Sequence, residues 1–152
     1  MLLWQVFQEA ALRKAKASVD AAGNFVRRER NFIQRQKVEE MLAWSMTHPY
    51  ARRHALLFLF SYSFLLRTPS EALPVRVGKD GGEIDSNAVL FKDGDQLVLI
   101  LRRRKNKPQG SRLVRKCTCH RSKTSCVYHE IGALVDAAAD GDSLFGGISP
   151  NG

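Results

Sequence analysis

The twelve residues from Ala55 to Leu66, ALLFLFSYSFLL, are the strongest constraint on what this chain can fold into. The segment from about Ala51 to Leu66 is apolar nearly all round, so as a helix it demands cover on most sides and reads as the buried centre of a domain. A bilayer is the other way to cover such a helix, but a span needs about 20 apolar residues and this run is shorter and contains serines. The rest of the chain must therefore supply the cover. Its 152 residues, 44% apolar and 26% charged, are enough for one globular domain and exclude a disordered or collagen-like chain.

The flanks supply candidate cover. Residues 2 to 22 form a moderately amphipathic helical pattern, with Leu3, Val6, Phe7, Ala10 and Leu12 apolar and Arg13, Lys14 and Lys16 near its end. Gly23-Asn24 stops it. Gln and Glu interrupt its apolar residues and no small-residue cleavage site follows, so no signal peptide is expected. A second pattern runs from about Phe32 to Met46, with Ile33, Val38, Met41, Leu42 and Trp44 forming a stripe. His48-Pro49 closes it, because the residue before a proline is pushed out of the α region.

After the central helix the period changes. Gly, Asp and Asn cluster between Gly78 and Asn87, and Ala88 to Phe91 is a strand candidate. Lys92-Asp93-Gly94-Asp95 holds an Asp-Gly hairpin signal, and Leu97 to Leu101 is the next strand. Pro108-Gln109-Gly110 turns the chain toward a third strand at Arg112 to Arg115. A short helix is expected over Val127 to Ala139, and the last residues, GDSLFGGISPNG, read as turns without a terminal element. The fold class is α+β: helices, then a small antiparallel sheet, then a short C-terminal helix. Two parts are expected, an N-terminal helix and linker over 1–31 and one domain over 32–152.

Charge is unevenly placed. The net charge is +9, yet between Gln96 and His129 stand ten basic residues and no acid: Arg102, Arg103, Arg104, Lys105, Lys107, Arg112, Arg115, Lys116, Arg121 and Lys123. The remainder is nearly neutral. Like charges repel and gain nothing structurally, so a one-sign run beside strands points to a polyanion. Arg102, Arg103, Arg104, Lys107, Arg112, Arg115 and Lys116 are the expected nucleic-acid contacts. Membrane lipid fits less well, since the run has no amphipathic helical face with large apolar anchors. An acidic protein partner is a further alternative.

The three cysteines lie within ten residues, in CTCHRSKTSCVYH. An odd count fits a secreted disulfide framework poorly and fits an intracellular chain better. Cys117, Cys119 and Cys126 with His129 offer three thiolates and an imidazole, a tetrahedral structural zinc set, with His120 as an alternative fourth ligand. Such a site has no open position and would staple rather than catalyse. Clustered thiols without metal are the plainer reading.

The exit of the central helix reads Phe64-Leu65-Leu66-Arg67-Thr68-Pro69-Ser70-Glu71. Thr68 suits an N-cap, Pro69 the first helical position, and Glu71 would close a capping box with Thr68. Arg67 should emerge at the edge of the core, where it needs an anionic partner: Glu71 or a phosphate.

A hydrophobic helix ending in YSFLLR, an acid soon after it and a hairpin with a basic turn, RRRKNKPQGS, together resemble the first half of a tyrosine recombinase catalytic domain, of the type found in fungal mobile elements. The likeness spans about residues 32 to 115, and the Cys-rich stretch is similar in those relatives. It implies that Arg67 binds the scissile phosphate and that Lys105, or alternatively Lys107, is the general acid toward the leaving 5′ hydroxyl. Glu71 would support Arg67, and no cofactor would serve catalysis. Lys105 is preferred because it is expected at the strand end just before the turn. In the family the acid commonly stands three residues after the arginine; here it stands four after.

A planar, permanently charged fork suits a five-coordinate phosphorus, and a lysine can donate a proton without a metal. The His-x-x-Arg box and the late tyrosine nucleophile of the family are absent: neither His48 nor His54 has an arginine three residues on, and the tyrosines are Tyr50, Tyr62 and Tyr128. The expectation is therefore a DNA-binding part of a recombinase that does not cleave alone, working in the nucleus on double-stranded DNA, with further copies of itself on DNA and no membrane. The alternative is a non-catalytic nucleic-acid-binding module stapled by zinc.

Overall fold

The computed structural model describes residues 12–13, 34–79, 84–121 and 126–148. The chain divides into two units, 1–33 and 34–152. In the first, only Leu12 and Arg13 are described, both helical, so the expected helix over 2–22 and the linker to residue 31 lie outside the described residues.

In the second unit, helix α1 spans Arg35–Met46. Val38 and Leu42, four residues apart, share its buried side, while Arg35–Glu39 and Lys37–Glu40 pair on the exposed one. His48 is extended, with φ −105° and ψ 113°, as a residue before proline must be, and Pro49 opens helix α2, Pro49–Phe64. The buried side of α2 carries Ala55, Leu56, Leu57, Leu59, Phe60, Ser61 and Phe64. The expected all-round burial fails on one line of the helix: Phe58 and Tyr62, stacked on each other, are 42% and 48% exposed.

α2 ends in a Schellman turn. Leu66 N–H bonds the Ser61 carbonyl and Leu65 N–H that of Tyr62, with Leu65 left-handed at φ 54°. Glycine is the usual residue there; a leucine in this conformation stores about 1 kcal/mol or more.

A single π-helical turn, Thr68–Ala72, follows and delivers the chain to a four-stranded sheet. Its strands are β1 (Arg76–Val77), β2 (Ala88–Asp93), β3 (Gln96–Leu101) and β4 (Ser111–Lys116), in that spatial order. The sheet is mixed, because β1 pairs parallel to β2 while the other pairs are antiparallel. That short parallel edge strand has no sequence signal of its own. The β2–β3 turn is centred on Gly94-Asp95 rather than on Asp-Gly, since Asp93 already pairs with Gln96, and Gly94 alone takes a positive φ, 58°.

Alternation sorts the sheet's faces. Ala88, Leu90, Leu97, Leu99 and Leu101 join the core with α1, α2 and helix α3, Val127–Ala137. α3 contributes Val127, Ile131 and Val135, spaced by four. The tail read as turns without an element instead enters the core: Leu144 and Phe145 are buried, and Phe145 packs against Phe60 at 5.6 Å. Backbone bonds from Val77 to Asp142 and from Leu144 to Val75 stitch it to the β1 edge.

Leu65→Gly is expected to raise the unfolding free energy by about 0.5–1 kcal/mol, because relief of the left-handed strain exceeds the added freedom of the unfolded chain. Urea titration of the two proteins checks this; a lower midpoint would show that Leu65 is not strained.

Candidate metal centre and basic turn

The end of β4 and the start of α3 bring four ligand atoms together. Cys117 directly follows β4 and Cys119 lies two residues on, while Cys126 is the residue capping α3 and His129 stands in its first turn. The Sγ atoms of Cys117, Cys119 and Cys126 and a ring nitrogen of His129 all lie within 4.8 Å of one another. His129 Nδ1 is 3.7, 3.1 and 3.4 Å from the three sulfurs in that order, and Cys126 Sγ is 3.8 Å from Cys117 Sγ.

A tetrahedron with zinc bonds of about 2.3 Å to sulfur and about 2.0–2.1 Å to nitrogen has edges of about 3.8 and 3.5 Å. The four separations above, 3.1 to 3.8 Å, lie near those edges, and all far exceed the ~2.05 Å of a disulfide. The four residues are thus close enough to bind one metal ion. His120 is exposed and outside the group, so the alternative fourth ligand is set aside.

The sulfurs' surroundings are polar. Thr118 N–H donates to Cys126 Sγ at 3.3 Å and Cys119 N–H to Cys117 Sγ at 3.5 Å. Burial pushes the Cys126 thiol up, but the Thr118 and His129 backbone N–H groups and the His129 ring outweigh it and bring it down to about 6. Hydrogen bonding to Cys117 and then to Cys126 pushes Cys119 up to about 12. Three thiols at this separation resist sharing more than one negative charge, and a divalent cation removes that conflict.

The basic run divides by use. Arg104 Nε meets Glu71 Oε1 at 3.1 Å and a terminal Arg104 nitrogen donates to the Leu65 carbonyl at 2.8 Å. Arg115 Nε donates to the Ser63 carbonyl, and its guanidinium lies 5.2 Å from the Phe64 ring centre. Both arginines, expected to contact nucleic acid, satisfy carbonyls at the C-terminal end of α2, where the helix dipole favours a cation.

Glu71, 4% exposed, has both oxygens engaged: its second oxygen accepts the Arg67 backbone N–H at 2.9 Å. This corrects two expectations. The cap bond reaches back to Arg67 rather than to Thr68, because the wide turn bonds Ala72 N–H to the Arg67 carbonyl, five residues back. And the ion-pair partner of Glu71 is Arg104, which leaves the Arg67 guanidinium exposed and without a partner among the described residues.

Lys105 is not at a strand end. β3 stops at Leu101, where it pairs with Ser111, and inside the intervening loop Arg104 and Lys107 form a tight turn with Lys105 and Asn106 at its tip. Asn106 supplies the positive φ of that turn, 69°. Asn87 pins the loop's near side, accepting from Arg103 N–H and donating to the Arg103 carbonyl. Gly110 closes it at φ 84°, where a Cβ would sit 2.4 Å from the Leu101 carbonyl oxygen.

Lys105, Lys107, Arg102, Arg103 and Lys116 are exposed and, among the described residues, have no acidic partner. Arg112 lies 4.0 Å from Asp93. Lys123 lies outside the described residues. Tyr128, beside the metal ligands, donates its hydroxyl to the Gly94 carbonyl and so holds the β2–β3 turn.

No protein-family model, no curated protein and no solved structure matches the chain.

Two outcomes are expected. Cobalt(II) added to the reduced protein should bind one per chain with the intense visible bands of tetrahedral thiolate coordination, and Cys126→Ala should abolish them. Glu71→Ala, which strands Arg104 in a largely buried position, should lower the unfolding free energy by about 3 kcal/mol in chemical denaturation.

Proposed function

We propose that this chain holds double-stranded DNA by its phosphate backbone, as the DNA-binding part of a tyrosine recombinase-like catalytic domain, with a structural zinc ion in the Cys117, Cys119, Cys126 and His129 group. The observation that carries the reading is the docking of the basic turn on the exit of α2. Arg104 bonds Leu65 and Glu71, the residues that bracket Arg67, so Arg67 and Lys105 leave the surface from neighbouring backbone segments. Both lack acidic partners among the described residues.

Arg67 would hold a phosphate as a planar fork, and Lys105 or Lys107 would stand near a bridging oxygen. Glu71 would act as a positioning residue, fixing the Arg67 backbone and the base of the basic turn together. Its place four residues after Arg67, one more than is common in the family, matches the extra residue that a π turn accommodates. Arg102, Arg103, Lys107 and Lys116 would extend the contact along the backbone without reading bases.

A second reading, a non-catalytic nucleic-acid-binding module stapled by zinc, draws on the closed four-ligand group, which leaves a metal no open position. One experiment separates the two. Arg67→Ala should weaken binding to a duplex nicked beside a 3′-phosphate about tenfold more than binding to an intact duplex. Equal loss on both would favour the non-catalytic module, and no loss on either would remove Arg67 from the interface. Binding of the unaltered chain should fall with salt at a logarithmic slope of about −4 to −5, as for about five neutralised phosphates. A flat salt dependence would sink the DNA reading in both forms.

A further inference from the structure

We infer that a cleft between α1, the C-terminal half of α2 and the turn after β4 is a nucleotide site, taking an unstacked base on its floor and the attached phosphate at its rim. This deepens the DNA-binding reading and rests on it. The cleft has a volume of about 320 Å³. Val38, Leu42, Leu59 and Val127, all at most 5% exposed, are its apolar lining. Tyr62, Ser63 and Thr118 bring hydroxyls to the same space.

Its charge is one-sided. Arg35, Arg115 and Arg121 line it against a single acid, Glu39. Glu39 is taken by Arg35 at 3.0 Å, and Arg115 is held by the Ser63 and Val114 carbonyls. Arg121 is exposed, and among the described residues its guanidinium has no hydrogen-bond or ion-pair partner. Its backbone is set by the turn in which Arg121 N–H bonds the Thr118 carbonyl. The Tyr62 hydroxyl likewise has no partner among the described residues, and its ring is half exposed.

An anion alone would use the arginines but not the apolar lining; an uncharged apolar ligand would use the lining but strip water from a cationic rim without pairing it. A nucleotide uses both, since a base presents a flat face to apolar and aromatic surfaces whatever its sequence and its phosphate suits a guanidinium fork. The volume is at the lower end of the range for small-ligand pockets, which suits one nucleotide and not several.

The test is calorimetric titration of the full chain with thymidine 5′-monophosphate, thymidine and inorganic phosphate, with methyl NMR of Val38, Leu42, Leu59 and Val127 as the locator. The mononucleotide should bind at least about fivefold tighter than either fragment and shift those methyls. Arg121→Gln should weaken it about tenfold, and at an exposed position with no partner among the described residues it should leave the fold intact. Equal binding of mononucleotide and inorganic phosphate would overturn the base-binding floor, as would methyls that do not move. Unchanged affinity in Arg121→Gln would overturn the site. Duplex binding that persists without mononucleotide binding overturns the cleft alone, whereas loss of both overturns the DNA reading with it.

Discussion

The contact of Arg104 with the buried Glu71 and the Leu65 carbonyl is the junction on which the second unit of this chain is organised. A helix as apolar as α2 must end somewhere, and its last carbonyls face away from the next turn with no intrahelical donor. Here the donors come from far along the chain. Arg104, inside the β3–β4 loop, and Arg115, within β4, reach back to Leu65 and Ser63. Two cations at the negative end of the helix satisfy its orphan oxygens and fasten the sheet to it. Glu71 balances Arg104, and by binding the Arg67 N–H it fixes the path by which the chain leaves α2.

That junction also decides which charges remain for a partner. Ten basic residues stood in one acid-free stretch, and the fold withdraws Arg104 and Arg115 from it for its own use. The others described stay at the surface, and Arg67, which belongs to no basic run, joins them because the ion pair of Glu71 is with Arg104. The electropositive surface is therefore partly different from the one that counting charges suggests. The Cys117, Cys119, Cys126 and His129 group lies at the opposite end of β4 from the basic turn and ties that strand to α3. A metal there would hold the strand that carries Arg115, and with it one of the two anchors on α2.

Much of the architecture was legible along the chain because it depends on short-range patterns. Val38 and Leu42 for α1, Pro49 for the start of α2, and Leu97 to Leu101 for β3 all fall where periodicity and breakers put them. The elements that escaped are those with no local signature. β1 is two residues long and exists because β2 and the tail offer it partners. Phe145 is a core residue inside a run of turn formers. Lys105 sits at the tip of a turn within the loop, where proline and glycine signals pointed a few residues later.

The sequence by itself determined an α+β chain built on one apolar helix, with its positive charge gathered beside the strands and four candidate metal ligands within thirteen residues. These follow from composition and spacing, which act over a few residues. Tertiary structure alone decided that the four ligand atoms meet within 4.8 Å of one another, that Leu65 is left-handed, and that Glu71 pairs with Arg104 rather than Arg67. The ligand group depends on how β4 hands the chain to α3, and the other two on Arg104 reaching the helix exit from more than thirty residues away; no local pattern encodes which carbonyl a distant guanidinium will satisfy.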